Sequence, residues 1–211
     1  MSNPRLTPLV EALKAFFAQA SNSDGDLSRT AQFTLDHVQW AQALTIPDAI
    51  SHPIVDAYLE GVCAHSGNPE SATHELAQVL LAASDQLNWR ASFYDPALGP
   101  DVVAFSRKFT ATSLIGPGGI LPCEKVSAGF SLQGPDTYYP PHAHRAEESY
   151  WTIGGSGDWR VATKPWFAVT PGKSIFHASG ARHAMQTNEQ ALLSLWLWTS
   201  HLDSEVVIVR S

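Results

Sequence analysis

Three residues within seven, His142, His144 and Glu148, concentrate metal-ligating atoms in one part of this 211-residue chain. Neutral imidazole nitrogens and a carboxylate oxygen are the donors a borderline divalent metal takes, and four of them gather most easily when several come from one short segment. The segment is Tyr138 to Gly155, read YYPPHAHRAEESYWTIGG. In an extended strand residues i and i+2 share a face, so His142 and His144 converge, with Glu148 and Tyr150 arriving past a short break. A lone His-x-His pair is more often polar surface or a satisfied core pair; the added carboxylate favours a metal.

The rest of the composition bounds what such a site can belong to. With 211 residues, 44% of them hydrophobic, the chain can bury a sizeable core. A formal charge of −7 disfavours nucleic acid and anionic membrane surfaces as partners and tolerates a cationic small molecule. Cys63 and Cys123 fit no zinc-ribbon or CxxC spacing and read as reduced, packed thiols. The first twenty residues carry Glu11 and Lys14 among helically spaced apolar positions, unlike a secretory signal, and no run approaches the roughly 20 apolar residues of a membrane span. A soluble, cytoplasmic protein is expected.

The elements that position the segment change character near residue 90. Leu6, Leu9, Val10, Leu13, Phe16 and Phe17 form one helical stripe after Pro4. Further helices are expected over 28–44, 48–64 and 71–89, with Pro53 internal to the third or breaking it. From residue 91, short runs rich in Val, Phe, Thr and Trp alternate with turn clusters such as GPGG at 116–119 and GGSGD at 154–158. Strands are expected over 102–109, 123–132, 139–144, 149–153, 158–162, 166–169, 174–176, 183–187, 192–198 and 206–209. Short antiparallel strands at that spacing predict a mainly β jelly-roll barrel over 91–211, with a helical N-terminal extension over 1–90 packed on it. The mouth of such a barrel holds one small ligand.

On these residues a resemblance can be placed. His142-x-His144, three residues, Glu148, six residues and Gly155 resembles the first cupin motif, and Ala178-Ser-Gly180-Ala-Arg-His183 resembles the second. The resemblance implies a cupin double-stranded β-helix in which His142, His144, Glu148 and His183 hold one divalent metal ion, zinc, iron or manganese. Ala178 stands where the general motif has proline, and the usual trailing asparagine is absent. His-x-His-x-x-x-Glu-x-Tyr, preceded by a tyrosine and followed by PGKSIFHASGARHAM, is similar to the marine bacterial dimethylsulfoniopropionate (DMSP) lyases of the cupin type. His177 is the rival third histidine. Spacing favours His183, because Gly180 can turn the chain into a returning strand.

That resemblance implies β-elimination of DMSP, a small sulfonium substrate, to dimethyl sulfide and acrylate. The α-proton of a carboxylate is poorly acidic, and a divalent cation on the carboxylate stabilises the enolate-like transition state. Tyr150 is the first expected base and Tyr139 the second, the latter as base or as a hydroxyl that positions the carboxylate. Aromatic faces attract onium groups, so Trp151 and Trp196, with Tyr139 and His177, are the expected substrate contacts. Two alternatives accompany this reading, a cupin dioxygenase acting on a small organic substrate and a cupin that binds a small ligand without turnover. A homodimer is compatible with the sequence.

Overall fold

The computed structural model describes residues 3–91 and 94–210. Its first part is helical: α1 is Leu6–Ala20, α2 Asp26–His37, α3 Pro53–Ala64 and α4 Ala72–Ala83. The whole expected stripe of α1 is buried. Each later helix is shorter than its periodicity predicts, and each limit has a local cause. Val38 turns extended and ends α2. Pro53 opens α3 rather than interrupting it, since the missing N–H is harmless at the first position, and His52 caps that end by accepting from Ile54 N–H. Ser71 caps α4, and the chain leaves it through a 3-10 turn over Ser84–Gln86 before Trp89.

The strand expected over Val102–Phe109 is corrected by the structure. Residues Pro100–Ser106 form a helix, α5, and the strand starts only at Phe109. Gly99 with φ of 126°, Pro100 in the first turn and Asp101 beside it are helix-start residues, and Val102 and Phe105 are buried three positions apart. The β propensity of Val102 and Val103 is overridden by that local signal.

Two sheets follow. β1 is Arg90–Ala91, β2 Phe109–Ile115, β3 Ser127–Gln133, β4 Thr137–Ala143, β5 Glu148–Gly155, β6 Gly157–Val161, β7 Phe167–Val169, β8 Ser174–His177, β9 His183–Thr187, β10 Leu192–Trp198 and β11 Val207–Ile208. One sheet has the order β1-β2-β3-β10-β5-β8 and the other β11-β4-β9-β6-β7. The pairs β3 with β10, β4 with β9, β5 with β8 and β6 with β7 are all antiparallel, as if one long hairpin had been rolled up. That is the jelly roll, the double-stranded β-helix of the cupin fold. Among the described residues no helix is long and apolar enough to cross a membrane.

The first sheet is buried on both faces. On its outer face Leu193, Leu195, Leu197, Phe130 and Ile153 share one hydrophobic core with α1, α3 and α4. On its inner face Tyr150 meets Tyr139, Trp159 and Met185 in a second core inside the barrel. Alternation along β5 therefore sends Ser149, Trp151 and Ile153 toward the helices and Glu148 and Tyr150 into the barrel. Gly154 is where helix and sheet touch backbone to backbone, because a Cβ there would collide with the Val62 carbonyl of α3.

Candidate metal centre

The inner face of the barrel collects side chains from four strands. His142 is on β4, His144 follows it, Glu148 and Tyr150 are on β5, and His183 opens β9, where it pairs with His142 across the sheet. Gly180, with φ of 73°, makes the turn that leads into β9, and its N–H donates to the His144 carbonyl at 2.8 Å. On β10, Trp198 lies opposite Glu148 and Trp196 opposite Tyr150.

Among the described residues His144, Glu148 and His183 bring one donor atom each within 4.8 Å of one another, all three buried. His144 Nε2 is 3.0 Å from Glu148 Oε2 and His183 Nε2 is 3.4 Å from the same oxygen. His142 sits beside this group, its ring 4.0 Å from that of His183 and 6.5 Å from that of His144.

The tautomers of these rings decide what they can bind. Nδ1 of His142, His144 and His183 each lies 2.9 Å from a backbone carbonyl, of Pro140, Ala146 and Ala181 respectively. A carbonyl only accepts, so each Nδ1 carries the proton and each Nε2 presents a lone pair. The lone pairs of His144 and His183 thus face a carboxylate oxygen, an arrangement that a metal ion between them, or a proton on His144, would satisfy. His183 Nε2 is buried without a hydrogen-bond partner. The set fits a divalent metal, with backbone acceptors fixing each imidazole as metal-binding histidines require. Trp198 Nε1–H donates to Glu148 Oε1 at 2.7 Å and holds the carboxylate from the other side.

The ionisation of the side chains is consistent with this reading. Burial opposes ionisation of Glu148, but the imidazoles of His144 and His183 outweigh it and hold the carboxyl well below the usual range. Burial likewise opposes charge on His144, and its bond to Glu148 raises its pKa nonetheless, so a proton can stand in for the cation there. His142 and His177 are held well below the ordinary imidazole value by burial. Tyr139 and Tyr150 are pushed well above the ordinary phenol value, chiefly by burial.

A cavity of about 220 Å³ opens onto this group, walled by Phe109, Ser131, Tyr139, Tyr150, Trp196 and Trp198 together with His142, His144 and Glu148. Among the described residues no lysine or arginine lines it. Of the expected substrate contacts, Tyr139 and Trp196 are on its wall. Trp151 is not: the parity that aims Tyr150 inward aims Trp151 outward, where its ring packs edge-on against Phe16 and Phe17 of α1, each 5.9 Å away. His177 is also off the wall. Its ring is stacked 4.0 Å behind that of His183, and its Nε2 accepts from Trp159 Nε1–H at 3.1 Å. Trp198 and Tyr94, whose hydroxyl is 2.6 Å from that of Tyr139, were not among the expected site residues. Alternation along β10 puts Trp198 on the face of Trp196, but Tyr94 belongs to no motif.

Known proteins resemble this chain over most of its length. The family model for dimethylsulfoniopropionate lyase matches residues 50–194. The dimethylsulfoniopropionate lyase DddQ of Ruegeria pomeroyi is 27% identical over 169 residues, covering 78% of this chain and 83% of that one. The putative dimethylsulfoniopropionate lyase DddL of Cereibacter sphaeroides is 27% identical over 145 residues, 65% of this chain and 59% of that protein's length. The crystal structure of DddQ from Ruegeria pomeroyi superposes with a TM-score of 0.72 at 25% identity, covering 96% of both chains.

Proposed function

Because the chain belongs to the dimethylsulfoniopropionate lyase family, whose members are carbon–sulfur lyases, we propose that it cleaves DMSP to dimethyl sulfide and acrylate at the His144–Glu148–His183 centre. One observation carries this reading: a buried imidazole and carboxylate cluster shares its cavity with Tyr150 and with aromatic faces, and among the described residues no lysine or arginine lines that cavity. A substrate carboxylate therefore finds its counter-charge at the centre itself, while a sulfonium finds Trp196, Trp198 and Phe109, whose ring faces attract onium groups.

His144, Glu148 and His183 hold the metal in this reading, and His142, the remaining imidazole on the cavity wall, is the fourth ligand. When bound there, a divalent metal supplies a Lewis acid that takes up charge on a substrate carboxylate. Tyr150 is the base. Its phenol is raised by burial and then by the neighbouring Glu148 charge, and the second contribution disappears once that charge is engaged by a cation. With its own phenol proton given up to solvent beforehand, the Tyr150 phenolate oxygen accepts the α-proton, the C–H electron pair becomes the carbon–carbon double bond of acrylate, and the β-carbon–sulfur bond breaks with its pair leaving on neutral dimethyl sulfide. Tyr139 donates its hydroxyl to the carboxylate.

Purified protein loaded with a divalent metal should release dimethyl sulfide and acrylate in equal amounts from DMSP. Tyr150→Phe should remove this activity while retaining bound metal. An inert, metal-replete wild type refutes the reading.

A further inference from the structure

Tyr94 belongs to neither sheet, yet it reaches the cavity wall. It stands ahead of α5, and its hydroxyl lies 2.6 Å from that of Tyr139. The Tyr139 ring is sandwiched, stacked on Phe105 of α5 at 3.9 Å and on His142 at 3.8 Å. That sandwich fixes the ring and leaves the direction of the hydroxyl proton as its remaining freedom. The segment carrying Tyr94 is itself tied down: Arg210, near the chain's end, donates to both carboxylate oxygens of Asp101 at 2.7 and 2.9 Å and to the Leu98 carbonyl.

We infer that Tyr94 is a positioning residue of the site, which sets the Tyr139 hydroxyl to donate to a carboxylate ligand. A phenol has one proton and two lone pairs. When Tyr94 donates to Tyr139, the Tyr139 proton is free to point into the cavity. The reverse bond consumes that proton and turns only oxygen lone pairs toward a ligand. An anion in the cavity selects the first direction, giving a run from Tyr94 O–H to Tyr139 O–H to carboxylate in which each bond polarises the next. Tyr94 touches no ligand in this scheme, so its effect passes entirely through Tyr139. The inference rests on the lyase reading for its substrate, but binding of acrylate, a simple carboxylate, tests it separately.

The test uses metal-loaded full-length protein, with acrylate binding measured by calorimetry and DMSP turnover measured alongside. Tyr94→Phe removes one oxygen and should weaken acrylate binding and raise KM for DMSP by roughly five- to tenfold, with a smaller change in kcat. Metal content and melting temperature should match wild type. In a Tyr139→Phe background the same substitution should change neither quantity further. Unchanged acrylate affinity in Tyr94→Phe overturns the inference, as does a loss that persists undiminished in the Tyr139→Phe background. If wild type binds acrylate and the variant binds it more weakly, yet neither cleaves DMSP, the lyase reading falls and the role of Tyr94 stands.

Discussion

Trp198, on the strand paired with β5, donates to the Glu148 carboxylate at 2.7 Å and so fixes the orientation of the carboxylate that would meet a metal in the proposed centre. Trp198→Phe keeps most of the cavity wall and removes the N–H. Metal affinity, read by competition with a chelator, should fall about 10- to 100-fold, the usual effect of deleting a partner that orients a ligand. A second prediction concerns the thiols. Burial pushes the Cys63 thiol up to about 12, and thiolate is the reactive form. Iodoacetamide at mildly alkaline pH should therefore leave Cys63 unmodified in the folded protein and alkylate it on unfolding, as followed by mass spectrometry. At this scale the clustered donors were legible because their order is local: His144 and Glu148 fall within five residues, with His142 just before them, and His183 follows a glycine turn. Trp198 and Tyr94 act across 50 and 45 positions of sequence separation, which no local pattern records.

The second helix shows how elements outside the barrel act on the centre. Arg29 and Thr30, consecutive on α2, hold the two residues that flank Glu148: Arg29 donates to Glu147 at 2.8 and 3.1 Å, and the Thr30 hydroxyl is 2.8 Å from that of Ser149. Both partners of the second bond are buried, so Thr30→Val leaves the Ser149 hydroxyl without its partner. The expected cost is about 1–3 kcal/mol of stability in denaturant unfolding. Helix α1 could be read directly from its apolar period, because that period is the face it buries. α5 could not, because Val-Val-Ala-Phe carries β propensity and its helical state is set by Gly99 and Pro100. Most inner strands were readable as strands, though β2 at Phe109–Ile115 was not, and the faces of none were. LLSLWLW on β10 is apolar in nearly every position because both sides are covered, so hydrophobicity alone does not say which residues see the cavity.

At the scale of the molecule, helices and barrel share one core. A chain starting at residue 90 would expose Phe130, Ile153, Leu193, Leu195 and Leu197 together, and an uncovered apolar face of that kind aggregates. Such a truncation should be recovered in the insoluble fraction, whereas the full chain should not. The chain's end contributes as well. Arg210 beside Asp101 holds that carboxyl below its ordinary range, so the stability it adds is present above the unfolded pKa and is lost as pH falls through the folded one. Asp101→Asn should lower the melting temperature at neutral pH, and the difference from wild type should close in acid, as the pH falls through the lowered pKa of the folded carboxyl. The division into helical and barrel parts was visible from the change of period near residue 90; their common core was not, since it joins residues far apart in the sequence.

The two-faced strand β5 has a bearing on descent as well as on folding. Its residues fall into two sets by parity, Glu148 and Tyr150 turned to the ligand, Ser149, Trp151 and Ile153 to the helices. Substitutions in one set can be screened for new chemistry while the other keeps the chain folded, so a lineage can change what the cavity accepts without rebuilding the scaffold around it. The same partition tells an experimenter where to aim a library: randomise the inward parity of β5 and β10, leave the outward parity alone, and the survivors will differ in chemistry rather than in whether they fold.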